Sequence, residues 1–165
     1  MSSFVLSQVL VGFAALFIVS SFQFTDQRLV RLCLALGGAT IAWHFWLLEV
    51  HTAALMSAIA CLRFLTAIFW RNKGLFYLFM ALVLANTIFS YAGYLTILAA
   101  LATSFATWGA FRNSDRELRV CMMAAAGTML VHNLFALTPA GVLLEAFFLG
   151  SNCLAYYRMY IRKVA

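Results

Sequence analysis

The chain has 165 residues, 65% of them apolar and 10% charged, with a formal net charge of +6 and a mean hydropathy of +0.97. Soluble domains carry about 25% charged residues, so this composition excludes a water-facing globule and points to lipid as the main solvent. The positive balance does not indicate nucleic acid, because Lys and Arg stand in small groups between apolar runs and form no patch or stripe.

A helix needs about 20 apolar residues to cross a hydrocarbon core ~30 Å thick. Cutting at charged and turn-forming residues predicts seven spans: 4–23, 29–48, 51–70, 75–91, 94–111, 118–136 and 139–157. Span one lacks the positive n-region of a cleavable signal peptide. The fourth is short and ends at the tight Ala92-Gly93 turn, so six spans are the main alternative. The seventh opens at Pro139, the single proline of the chain. No alternating strand pattern occurs, and helices satisfy their own backbone groups in lipid.

Basic residues set the orientation. Arg28 and Arg31 follow span one, Arg71 and Lys73 span three, Arg112, Arg116 and Arg119 span five, and Arg158, Arg162 and Lys163 span seven. All Lys and Arg except Arg63 then lie on one face, which the positive-inside rule makes cytoplasmic, with the N-terminus outside. Six spans would break this alternation. Cys33, Cys61, Cys121 and Cys153 fall inside apolar runs with no CxxC spacing and read as small reduced packing residues. Tryptophans and tyrosines near span ends, Trp43, Trp46, Tyr91 and Tyr94 among them, suit the headgroup region.

Sliding the chain along itself by 88 residues superposes Arg28 on Arg116, Arg31 on Arg119, Cys33 on Cys121, Thr40 on Thr128 and His44 on His132. Spans one to three therefore correspond to spans five to seven. An odd linker helix between them keeps both triplets in one orientation, a known transporter plan. The expected fold is an all-α integral membrane protein of seven helices in a 3+1+3 layout, with a first repeat at 1–73, a linker helix at 74–92 and a second repeat at 93–165. Cys33, Thr40 and His44 stand at i, i+7 and i+11, within about 40° on one helix face, and Cys121, Thr128 and His132 repeat that stripe. The structural alternative is a small-residue packing seam.

The stretches GFAALFIVSSF, DQRLVRL, WHFWLLEV, AALMSAIACLR, RVCMMAAAGTMLVHN and GVLLEAFFLGSNCLAYYRM resemble the YgjV family of bacterial inner-membrane proteins. The resemblance covers nearly the whole chain and implies a bacterial inner-membrane location. The layout is similar to that of the SWEET sugar transporters of the PQ-loop group, although Phe24-Thr25 replaces the Pro-Gln pair that names the group. That second resemblance implies a sugar-binding asparagine at Asn152.

Charged groups inside a span cost about 2.5–3.5 kcal/mol or more on insertion scales. His44 and His132 each lie four residues from the outer end of their span, about 6 Å deep, and Glu145 lies about 9 Å below the same surface. Arg63 lies about 12 Å from the cytoplasmic edge, near the midplane and level with Asn152. Arg63 and Asn152 are the expected substrate contacts, with His44, His132 and Glu145 as an outer polar layer; Asn133 and Ser57 complete the candidate set. A buried guanidinium suits carboxylate or phosphate, which favours an anionic or polar metabolite over a neutral sugar. In the structural alternative Arg63 snorkels to the interface and the histidines bond main-chain carbonyls.

Paired histidines can also ligate haem, but the repeat accounts for their matching depth without iron. No nucleophile is singled out beside a base, and GxSxG and HExxH are missing. The expectation is a transporter or facilitator, not an enzyme, with no cofactor or metal and a site between the repeats. Its partners are the bilayer and a small polar solute, and a homo-oligomer is allowed. Proton coupling, if present, would use Glu145 or the histidines. The alternative is a non-transporting scaffold with the same fold.

Overall fold

The computed structural model describes residues 3–162. Its helices are α1 (Ser3–Ser21), α2 (Gln27–Leu47), α3 (His51–Phe69), α4 (Lys73–Phe89), α5 (Tyr94–Ala110), α6 (Asp115–Phe135) and α7 (Pro139–Tyr156), which continues into a π-helical turn at Tyr157–Ile161. Among the described residues there is no strand. Each of the seven predicted spans falls on one of these helices.

The boundaries follow from local chemistry. Asp26 caps α2 by accepting the Arg28 N–H at 2.8 Å, and Asn72 caps α4 by accepting the Leu75 N–H at 2.8 Å; each satisfies one of the donors that a helix start leaves open. Pro139 sits in the first turn of α7, where its missing N–H is not needed. Gly93, with φ 105°, supplies the backbone conformation of the α4–α5 turn that other residues resist.

The chain forms two compact units, Met1–Trp70 and Arg71–Ala165. In the first, α2 packs against both α1 and α3. Adjacent glycines permit this from opposite sides. A Cβ on Gly37 would come within 2.8 Å of Ile18 Cγ1 on α1, and one on Gly38 within 3.1 Å of the Cys61 main-chain nitrogen on α3. In the second, α6 packs against α5 and α7, while α4 lies on α5. Gly109 of α5 opens that approach, since a Cβ there would fall 2.8 Å from the Cβ of Cys121. Small residues at such crossings let backbones come close enough for dispersion to hold helices together in lipid.

At the offset of 88, α2 and α6 share several features. Both α2 and α6 have 21 residues. The buried residues of α6, Leu118, Arg119 and Ala125, all have buried counterparts on α2, namely Val30, Arg31 and Gly37. Both helices also end in the same paired-hydrogen-bond stop. Glu49 N–H donates to Trp46 O and Val50 N–H to Phe45 O; Leu137 N–H donates to Leu134 O and Thr138 N–H to Asn133 O. This is a Schellman ending, which usually takes glycine in the left-handed position. Here Glu49 (φ 61°) and Leu137 (φ 53°) occupy it.

Large apolar side chains point outward along the helices, among them Trp43, Trp46, Phe69, Phe89 and Leu143. A surface of this kind is unfavourable in water and suited to acyl chains. By length and composition α2 and α6 each suffice to cross a membrane, and α4 and α5 are apolar but shorter at 17 residues.

Candidate functional site

Fully buried polar side chains include Ser7 and Ser21 of α1, Arg31 of α2, Thr107 of α5, Arg119 of α6 and Asn152 of α7. Arg31 and Arg119 are fully buried, at 0% and 1% exposure. From the sequence they read as topology-setting charges at helix ends; the structure places them inside their units. Their helical spacing explains how. Gln27 and Arg31 are i and i+4, as are Asp115 and Arg119, so each arginine folds back over the preceding turn. Arg31 Nη1 donates to the Gln27 main-chain oxygen at 3.2 Å and to its side-chain Oε1 at 3.0 Å. Arg119 Nε donates to Asp115 Oδ2 at 2.7 Å. The second unit thus holds a charge pair where the first holds a neutral amide.

In the second unit this cluster extends further. The Tyr160 hydroxyl, on the π-helical turn, donates to the same Asp115 Oδ2. Burial, and then that hydrogen bond to a carboxylate, push the Tyr160 phenol up to about 12. Asn152 on α7 is 1% exposed, and its Nδ2 donates to the main-chain oxygen of Arg119 at 3.1 Å. Among the described residues, Asn152 Oδ1 and Asp115 Oδ1 are buried without a hydrogen-bond partner. An acceptor left in this state costs about 1–3 kcal/mol.

The twin histidines have different surroundings. His44 is buried, with Nδ1 2.9 Å from the main-chain oxygen of Ser7 on α1. A carbonyl can only accept, so Nδ1 carries the hydrogen there. His132 is half-buried, and its Nδ1 lies 3.2 Å from Oδ1 of its neighbour Asn133. The matching threonines behave alike. Thr40 Oγ1 donates to Gly37 O at 2.8 Å and Thr128 Oγ1 to Ala124 O at 2.8 Å, which satisfies both hydroxyls on their own helices.

Among the remaining candidates, Arg63 is 4% exposed, buried inside the first unit, with its guanidinium 4.8 Å from the Phe64 ring centroid. Ser57 is half-buried on α3 and Glu145 half-buried on α7. Gly141, Glu145, Phe148 and Asn152 share one stripe of α7 at helical spacing. Gly141 fixes its direction, because a Cβ there would meet the Asn133 side chain of α6 at 2.8 Å. The second unit therefore gathers Asn133, Glu145 and Asn152 along its α6–α7 seam, with His132 beside Asn133. His44 faces α1 instead, in the first unit. His51 is exposed and lies against Trp46, with ring centroids 4.9 Å apart.

Sequence reasoning missed Ser7, Arg31, Asp115, Arg119 and Tyr160. The recurrence of Arg31 and Arg119 at the repeat offset was the available signal for two of them; the others carry no pattern.

Lipid-facing apolar helices around a few hydrogen-bonded polar side chains define an α-helical membrane protein. A family model described as bacterial inner membrane protein matches residues 5–163, and the chain belongs to this YgjV family. It is similar to the inner membrane protein YgjV of Escherichia coli (strain K12), with 24% identity over 167 residues spanning 99% of this chain and 91% of that one. No solved structure matches it.

Proposed function

We propose that this inner-membrane protein is a carrier or facilitator for a small polar solute, preferably an anionic one, that uses Arg63 and Asn152 as solute contacts. In this reading its seven helices cross the membrane in a 3+1+3 order, and the distribution of Lys and Arg supports an N-terminus outside and a C-terminus in the cytoplasm. The observation that carries the reading is Asn152. Its Nδ2 is bonded and its Oδ1 is a buried acceptor without a partner among the described residues, an unfavourable state that a solute donor would relieve. Arg63, a buried guanidinium in the first unit, suits a carboxylate or phosphate. His44, His132, Asn133, Glu145 and Ser57 are the further candidate contacts.

A second reading, a non-transporting scaffold, is favoured by the bonds already in place: His44 to Ser7 and Asn152 to Arg119 tie neighbouring helices together. The test is a thermal-shift screen of purified protein against sugars, organic acids, amino acids and nucleotides, followed by uptake into proteoliposomes. A carrier gives a stabilising solute whose uptake fails in Asn152→Ala and Arg63→Gln while both variants remain folded. No stabilising solute in any class and no uptake leaves the scaffold; wild-type uptake by both variants removes Arg63 and Asn152 from the solute path.

A further inference from the structure

The groove between the end of α5 and the start of α6 has a volume of about 610 Å³ and is lined by Trp108, Arg112, Arg116, Glu117, Val120 and Cys121, among others. We infer that this groove binds the phosphate headgroup of an anionic phospholipid.

Its two guanidinium groups are positioned in advance. Arg112 lies over the Trp108 ring, 4.8 Å from the centroid. Arg116 donates from Nε to the Tyr156 hydroxyl at 2.8 Å and lies 5.9 Å from that ring. Guanidinium groups held against aromatic faces keep N–H donors for a second partner and lose little freedom on binding a phosphate. The volume falls within the roughly 300–1,000 Å³ of small-molecule sites. Trp108 and Val120, about half exposed, offer acyl chains an apolar wall beside the charged end. Basic pockets between membrane helices at the headgroup level are suited to anionic lipids.

Glu117 is the competing anion. Its Oε2 is 3.7 Å from Arg112 Nε, and both side chains are well exposed, at 56% and 40%, so the pair is weak and a phosphate can displace it. The first unit offers an internal comparison. At the positions 88 residues earlier, Ser20 stands for Trp108, Phe24 for Arg112, Arg28 for Arg116 and Leu29 for Glu117. The duplication preserves one arginine; the second arginine and its tryptophan belong to the second unit alone. Lipid binding in this groove does not depend on solute transport.

The experiment measures lipid retention by native mass spectrometry of protein released from phosphatidylglycerol or phosphatidylcholine nanodiscs. Wild type is expected to keep one phosphatidylglycerol in preference to phosphatidylcholine. Arg112→Gln with Arg116→Gln should weaken that preference by about tenfold or more, since two charge-assisted contacts are lost. Arg28→Gln with Arg71→Gln removes the same charge elsewhere and should leave the preference intact. Glu117→Gln should strengthen it, and this variant keeps the test decisive if the double arginine variant fails to fold. Unchanged retention in the Arg112/Arg116 variant overturns the inference. So does equal loss in the Arg28/Arg71 variant, which would mean bulk charge, or equal stabilisation of delipidated protein by inorganic phosphate, which would mean a free-anion site.

Discussion

The side-chain amide of Asn152 donates to the main-chain carbonyl of Arg119 at 3.1 Å, joining α7 to α6 beside a buried charge pair. Asparagine serves here because it is small and can donate. Asn152→Ala removes one buried hydrogen bond and should cost about 0.5–1.5 kcal/mol. Asn152→Asp replaces the donor with a carboxylate that faces a carbonyl oxygen, and should cost more. Thermal unfolding in detergent checks the order: wild type, then Ala, then Asp.

Asp115 holds Arg119 at 2.7 Å, whereas in the first unit the neutral Gln27 holds Arg31. An oxygen acceptor four residues before the arginine is common to both helices. Asp115→Asn keeps an acceptor oxygen for the guanidinium and should be mild. Asp115→Ala removes the carboxylate that lies 2.7 Å from the guanidinium and should cost about 3–5 kcal/mol, the range for breaking a buried pair. Chemical or thermal unfolding of the two variants tests the difference; equal losses would refute it.

Tyr160 provides the pH dependence. Its phenol is raised to about 12 from the ordinary 10, so between those values the folded state keeps a proton that the unfolded chain has lost. Stability from this group is complete below about pH 10 and declines as pH rises toward 12. Titrating phenolate absorbance in wild type and in Tyr160→Phe should show one tyrosine with a late transition that the variant lacks.

Glu49 and Leu137 hold left-handed backbone at the ends of α2 and α6, at a cost near 1–2 kcal/mol for an L-residue. Leu137 is 85% exposed and gives up little packing when removed. Leu137→Gly and Glu49→Gly should each stabilise by up to about 1 kcal/mol, the relief of strain being partly offset by the entropy of glycine in the unfolded chain. Leu137→Pro forces φ negative and should destabilise strongly. Melting temperatures rising for both glycine variants and falling for proline would agree with the Schellman endings.

Gly38 packs so closely on α3 that an alanine methyl in its place would stand 3.1–3.2 Å from main-chain atoms of Cys61, and no side chain can rotate away to make room. Gly38→Ala should push α2 and α3 apart and cost about 1–3 kcal/mol, as overpacking does. Gly127, with open space around its Cβ position, should tolerate the same change. Melting curves of the pair make the comparison.

Much of the architecture could be read from the residues. In lipid a backbone must bond to itself, so long apolar runs become helices and charged or turn-forming residues mark their ends. That logic located α1 to α7, and the glycine and proline at Gly93 and Pro139 marked two of the turns. The self-match at Arg31/Arg119 and His44/His132 gave the register in which α2 and α6 share buried positions and helix endings. All of this is local or periodic, and linear order carries it.

What linear order could not carry is which neighbour each polar group meets. His44 and His132 are twins by register, yet one reaches the Ser7 carbonyl and the other its adjacent Asn133. Arg31 and Arg119 look like surface charges in sequence and are buried. Tyr160 reaches Asp115 across 45 positions of chain. The sequence by itself determined a helical membrane protein, because hydropathy and hydrogen-bond self-sufficiency act along the chain. Only the tertiary structure decided the partners, because the free energy of a polar group out of water depends on the few atoms within about 3 Å of it, and packing alone chooses those.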